Sequence, residues 1–351
     1  MDGQMLEREP ALPGQPVVDP ACWTGEELAA RQDWIFELSA REISDLGAMA
    51  ASVRERIGDD ASALVGMTAD DFYMGAFASR FEQAKQILKD GVGVVLIRGL
   101  PVDDWDRLNL AIAYWGIGNH VGRPQSNNPQ GDMIGHVTDK GKDLENPNHR
   151  AYQTNAELFF HVDQCDMLAL LCVQQAKSGG RSKVVSSIAL HNEMLKLRPD
   201  LAKVLAEPFI WSLHGEQGPG QGAWFESPVF NYVDGYLSVA AGYKSIEKGH
   251  KLPGVEPLTA TQWEALNYLE DLGNQLTFTT HLEPGDIPIL NNQAVLHSRT
   301  GFEDFQDLDL CRHLWRLWMH TPDFRPRSPY VENYLNGIWS PETAHKVVLI
   351  A

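Results

Sequence analysis

Apolar residues recur at helical spacing over 42–57 and again over 77–89, the second run stopping at Asp90-Gly91. This pattern predicts two amphipathic helices, the second closed by a turn. The stretch GVGVVLIRGL at 91–100 is β-branched and bounded by glycines, as a buried strand would be, and 104–116 returns to helical spacing. From Gly116 to Arg150 the chain is rich in Gly, Asn, Asp and Pro and poor in apolar residues. A long surface loop of the kind that carries function is expected there. Beyond it, short strand candidates follow at 167–176, 182–187, 229–232, 275–282, 287–290 and 312–320. Helical stretches at 189–205 and 259–272 interrupt them, the latter opening on a good N-cap threonine. Many short strands with turns between them predict an α+β chain with a mainly β core, a double-sheet jelly roll with flanking helices, rather than a parallel βαβ sheet.

Residues 1–30 are Pro-rich and polar without a clear period. The expected organisation is an N-terminal arm and helical extension over 1–84, one core domain over 85–320, and a tail over 321–351. Pro322, Pro326 and Pro329 favour an extended path for that tail. The 351 residues are 43% hydrophobic and 22% charged, ample for one sizeable core. A net charge of −18 argues against unaided binding to nucleic acid or to an anionic membrane, so a small-molecule partner is the expectation. Cys22, Cys165, Cys172 and Cys311 are scattered without a CxxC pair, which points away from a disulfide framework and from a thiolate zinc site. With a polar, acidic N-terminus and no long apolar run, a cytoplasmic location is expected. No coiled-coil heptads are visible, and a homo-oligomer is left open.

The chemistry concentrates in three segments. ELFFHVDQCD places His161 and Asp163 two residues apart, so an extended backbone sends imidazole and carboxylate to one side. His297, in PGDIPILNNQAVLHSRTGFED, follows a strand candidate and precedes a glycine turn. Two histidines and one carboxylate on one face of an octahedral ion leave the opposite face open, the arrangement of non-haem iron(II) oxygenases. Each motif alone is commonplace, and among the 12 histidines His120, His136, His149, His191 and His214 read as surface or satisfied core residues. The third segment, RHLWRLWMH over 312–320, alternates as a strand, with Arg312, Leu314 and Arg316 on one face and His313, Trp315 and Leu317 on the other. Buried guanidinium groups need carboxylates, which Arg holds through two parallel hydrogen bonds. A bound dicarboxylate would serve, as would an internal bridge to Asp286 or Glu303.

Taken in order, HVDQCD, AKSGGRSKVVSS, PGDIPILNNQAVLHSR and RHLWRLWM resemble the TauD/TfdA-type family (taurine/2,4-D dioxygenase, clavaminate synthase-like) of iron(II)/2-oxoglutarate-dependent dioxygenases over residues 85–320. The resemblance implies a double-stranded β-helix core and a catalytic domain over 85–320. It also implies that His161, Asp163 and His297 are the ligands of iron(II), with 2-oxoglutarate and O2 as cosubstrates. Arg312 looks like the arginine that binds the far carboxylate of 2-oxoglutarate. Ser182, just after Gly179-Gly180, stands where the family has a hydroxyl for the same cosubstrate, with Ser in place of the frequent Thr. Arg316 resembles a second arginine near the cosubstrate or an acidic substrate, and Asn119, His120, Asn127 and Asn155 fall in segments that contact substrate. Because the carboxylate ligand is present, the resemblance implies hydroxylation, desaturation or cleavage with release of succinate and CO2, rather than halogenation, and the acidic composition and Arg316 are compatible with a small organic, anionic or amino-acid-like substrate. The alternatives are a zinc hydrolase or isomerase with the same ligand set, and a non-catalytic jelly-roll binding protein.

Overall fold

The computed structural model describes residues 7–142, 146 and 149–350. Helix Ala40–Ile57 starts at a capping box, in which the Ser39 side chain accepts from the Glu42 amide and the Glu42 carboxylate accepts from the Ser39 amide. Helix Ala78–Asp90 follows, and Arg107–Val121 is capped by Asp106, which accepts from the Leu108 and Asn109 amides. These helices cover one face of a seven-stranded sheet. Its order is Ile35–Glu37, Val94–Arg98, Ile287–Asn291, Met167–Gln174, His313–His320 and Arg123–Gln125, with Gly135–Val137 also pairing with His313–His320. Every pair is antiparallel except the first.

Strand alternation divides the interior in two. Met167, Ala169, Leu171, Trp315, Leu317 and Met319 pack under the helices, whereas Leu168, Cys172, Leu314 and Trp318 face the other way. On that second side lies a smaller sheet of Phe278–Thr280, Ser182–Ser186 and Val295–Arg299, backed by helices Ser187–Leu197, Pro199–Leu205 and Ala260–Leu276. The two sheets face each other, and the site sits between them.

Several expected boundaries move, each for a physical reason. The helix expected to end at Gly116 runs on to Val121, because Gly116 and Gly118 let it lie close against neighbouring elements. A Cβ on Gly118 would overlap Leu317 Cδ2. Helix propensity alone favours Ala over Gly by about 1 kcal/mol, but overpacking a buried contact costs about 1–3 kcal/mol. Gly118→Ala is therefore expected to destabilise, read as a lower urea midpoint with an unchanged m-value. The loop beyond holds two three-residue strands, Arg123–Gln125 and Gly135–Val137, defined by pairing with His313–His320 rather than by any local pattern. The stretch 189–205 splits at Arg198, since Pro199 fits only at a helix start.

Segments near both termini are tied to the core. Asp19 is buried and accepts from Arg8 and Arg325, and Trp23 Nε1 donates to the Val92 carbonyl at 2.8 Å. Arg327 in the tail holds the buried Asp166 through two donors at 2.8 and 2.7 Å. The four cysteines are free. Among the described residues no helix is long and apolar enough to cross a membrane.

Candidate active site

His161 and His297 lie on different segments but exchange both backbone hydrogen bonds, at 3.0 and 3.1 Å. A hydrogen-bonded antiparallel pair sends both side chains to one face, and here the ring centroids are 4.2 Å apart. The Val162 amide donates to Ala241 at 3.0 Å, keeping the segment extended, so Asp163 points to the same side as His161. Asp163 Oδ1 is 3.9 Å from His161 Nε2, and Oδ2 is 4.0 Å from His297 Nε2. The three ligating atoms lie within 4.8 Å of one another. Phe159 O lies 2.9 Å from His161 Nδ1, which places the ring proton there and leaves Nε2 free to ligate. Burial pushes both imidazoles down, His297 to about 3 with His161 as its second cause, so both are neutral at pH 7.

The carboxylate is held from behind. Trp318 Nε1 donates to Asp163 Oδ2 at 2.8 Å and Arg316 Nη1 at 3.3 Å. Burial alone would favour the neutral acid; Arg316 foremost, then the two histidines and Trp318, outweighs it and holds the carboxyl well below the usual range. Arg316 is fixed in turn, donating from Nε to Asn127 Oδ1 at 3.0 Å and lying over the rings of Tyr152 and Trp318 at 4.6 and 4.3 Å. Asn127 is locked by its amide to the carbonyls of Gln125 and Met133.

Arg312 is 5% exposed and lies 5.2 Å over Phe302. Gly179 and Gly180 form a turn at φ +74 and +65°, and a Cβ on Gly180 would press on Arg312 Nε at 3.2 Å. Among the described residues no carboxylate lies within 4 Å of this guanidinium. Asp286 pairs instead with Arg98 at 3.4 Å, and Glu303 makes no bridge to Arg312. Burial pulls the Arg312 pKa down to about 10. A buried cation of this kind lacks an anion that a guest can supply.

Residues 67–318 match the family described as taurine catabolism dioxygenase TauD, TfdA family. The chain belongs to that family. Over 322 residues it is 26% identical to FR-33289 synthase of Streptomyces rubellomurinus (strain ATCC 31215), covering 89% of this chain and 92% of that protein. It is also 26% identical over 325 residues to taurine hydroxylase-like protein SAT17 of Stachybotrys chartarum (strain CBS 109288 / IBT 7711), covering 89% and 81%. Solved structures share the fold. Asparagine oxygenase in complex with Fe(II), 2S,3S-3-hydroxyasparagine and succinate superposes with a TM-score of 0.63 at 17% identity, over 85% of this chain and 98% of that one. The non-heme iron oxygenase OrfP with Fe, succinate and (3S)-hydroxy-L-Arg gives 0.62 at 13% identity, over 90% and 99%. The β core is thus the jelly roll of TauD/TfdA-like oxygenases, and the family's activity is that of an iron(II)- and 2-oxoglutarate-dependent oxygenase.

In this TauD/TfdA member, a cavity of about 110 Å³ opens on His161 and Asp163 and is lined by Phe159, Tyr243, Arg150 and Lys244 among others. Phe159 and Tyr243 stack at 4.3 Å, nearly parallel. Arg150 is paired with Glu216, and Lys244 with Glu247. A larger cavity of about 400 Å³ shares Tyr334 with it but holds none of the three ligands.

Two expected pocket residues lie elsewhere. Because the helix continues through them, Asn119 donates to the Trp115 carbonyl of its own helix, and the His120 ring meets Phe72 O and the edge of Phe81, on the far side of the main sheet. Asn155 is exposed and offers the site only its backbone carbonyl, which accepts from Phe302. Asn127 reaches the site through Arg316. Trp318 was not singled out from sequence, although its place two residues after Arg316 puts it on the same strand face.

Proposed function

We propose that this TauD/TfdA-family protein hydroxylates a small anionic or amino-acid-like substrate, with iron(II) held by His161, Asp163 and His297. The observation that carries the reading is the convergence of this triad, whose carboxylate is buried, together with Arg312, a buried cation that has no carboxylate partner among the described residues. Iron(II), when bound, supplies O2 activation coupled to decarboxylation of 2-oxoglutarate to succinate and CO2. The chain's own residues do the rest. Arg312 and the Ser182 hydroxyl bind the far carboxylate of 2-oxoglutarate, while Arg316 and Trp318 keep Asp163 ionised and oriented. The Phe159–Tyr243 stack gives an apolar wall that excludes water from the reacting end. The ligands of the two solved relatives, hydroxyasparagine and hydroxyarginine, and the taurine hydroxylase-like curated relative support an amino or sulfonic acid.

The test is a succinate-release screen over amino, carboxylic and sulfonic acids, with oxygen uptake followed alongside. Uptake dependent on both 2-oxoglutarate and one such acid is the expected result. Substrate turnover with zinc and no oxygen consumption would instead favour a hydrolase, a reading that leaves the buried Arg312 without a purpose.

A further inference from the structure

The smaller sheet carries a second buried cation. Val295–Arg299 runs antiparallel to Ser182–Ser186 with His297 opposite Val184 and Arg299 opposite Ser182. Cross-strand partners share a face, as do residues two apart, so His297, Arg299 and Ser182 face the same way. Two residues of strand advance about 6.6 Å, so Arg299 projects beside His297 on the same face of the sheet.

Arg299 is 5% exposed. Its Nη2 donates to the carbonyls of Thr154 at 3.1 Å and Ala156 at 2.6 Å, while Nη1 is buried with no partner. Its guanidinium lies 4.5 Å over Phe302, the ring that Arg312 covers at 5.2 Å. Among the described residues neither guanidinium has a carboxylate within 4 Å. Two buried cations on one ring repel each other, and desolvation disfavours both. A carboxylate has two oxygens and satisfies a pair of guanidiniums.

We propose that Arg299 is a second binding residue for the far carboxylate of 2-oxoglutarate, clamping it with Arg312 and Ser182. Through its bonds to Thr154 and Ala156, and through the Leu158 amide that donates to its carbonyl at 2.9 Å, it also ties cosubstrate occupancy to the segment 154–159. Glu157, Leu158 and Phe159 of that segment wall the substrate cavity. Cosubstrate loading thus orders the substrate site. The inference rests on the 2-oxoglutarate reading above and adds to it a residue and a coupling.

The test uses the full-length protein loaded anaerobically with Mn(II), titrated calorimetrically with 2-oxoglutarate and with 2-oxopentanoate, which has a methyl group in place of the far carboxylate. Arg299→Gln is expected to weaken 2-oxoglutarate binding by about 30- to 1000-fold while moving 2-oxopentanoate by less than about threefold, and Arg299→Lys to recover part of the loss. Amide exchange in 154–159 should slow when 2-oxoglutarate binds the parent protein, and not in Arg299→Gln. Unchanged 2-oxoglutarate affinity in Arg299→Gln overturns the inference. Equal loss of both keto acids in both variants also overturns it, since Arg299 would then only shape the fold. Failure of the parent protein to bind 2-oxoglutarate overturns the underlying reading, and is distinguishable because it appears before any substitution is made.

Discussion

Asp163→Ala is expected to produce no succinate and to melt well below His161→Ala, although each removes one proposed metal ligand. The difference lies in what each side chain leaves behind. Asp163 is the acceptor for Trp318 Nε1 and for Arg316. Arg316 is 5% exposed, and without Asp163 the partners left to it among the described residues are Asn127 and two aromatic faces. Removing one partner of a buried ion pair costs about 3–5 kcal/mol, because the other charge stays buried. The His161 side chain is 28% exposed and contributes one bond, to a backbone carbonyl, so truncating it costs nearer 1–2 kcal/mol. Urea unfolding of the metal-free proteins should show the gap, and Mn(II) titration should show weak binding in both. Asp163→Asn keeps the shape and one acceptor oxygen but loses the charge, and should fall between them. Metal-free Asp163→Ala as stable as the parent protein would show that Arg316 does not depend on this carboxylate.

The convergence of His161 and Asp163, and the two faces of the strand 312–320, were legible from sequence because both signals are local. HVD is a period-two pair, and the alternation of 312–320 predicts two faces that the structure reproduces, with Leu314 and Trp318 in one core and Trp315, Leu317 and Met319 in the other. What was not legible depends on contacts far apart in the chain. Asp19 reads as one acid in a polar arm, yet its partner Arg325 comes from the opposite end of the chain, so nothing near residue 19 marks it as buried. Gly116 and Gly118 read as loop residues, whereas they permit a helix to approach Phe72 and Leu317 closely. That misreading also carried Asn119 and His120 to the wrong side of the sheet. Arg299 stands two residues after His297, and the same period-two rule places it inside. The missing knowledge was that the strand 295–299 pairs with 182–186, which sets Arg299 opposite Ser182.

Arg312→Met should separate stability from function in opposite directions. Met fills a similar length of apolar space, and the Arg312 amide, which donates to Asp304 at 2.8 Å, is unaffected by the change. The substitution removes a buried guanidinium that has no carboxylate within 4 Å among the described residues, and it relieves repulsion on Arg299, for which Arg312 ranks next after burial among the influences that pull its pKa down to about 9. Replacing unsatisfied buried charge with apolar volume stabilises by about 1–3 kcal/mol, so the ligand-free variant should melt above the parent protein. Affinity for 2-oxoglutarate should fall by about 100-fold or more, as loss of a buried charge-paired contact does. The two effects meet in one experiment. With Mn(II) present and 2-oxoglutarate at about 100 times the parent dissociation constant, binding adds about 2.7 kcal/mol to the parent protein and much less to the variant, so the order of the melting temperatures should narrow or reverse. A ligand-free variant that melts below the parent would mean that Arg312 already has a stabilising partner in the empty protein, and that the cosubstrate pocket is not held open by an unmet charge.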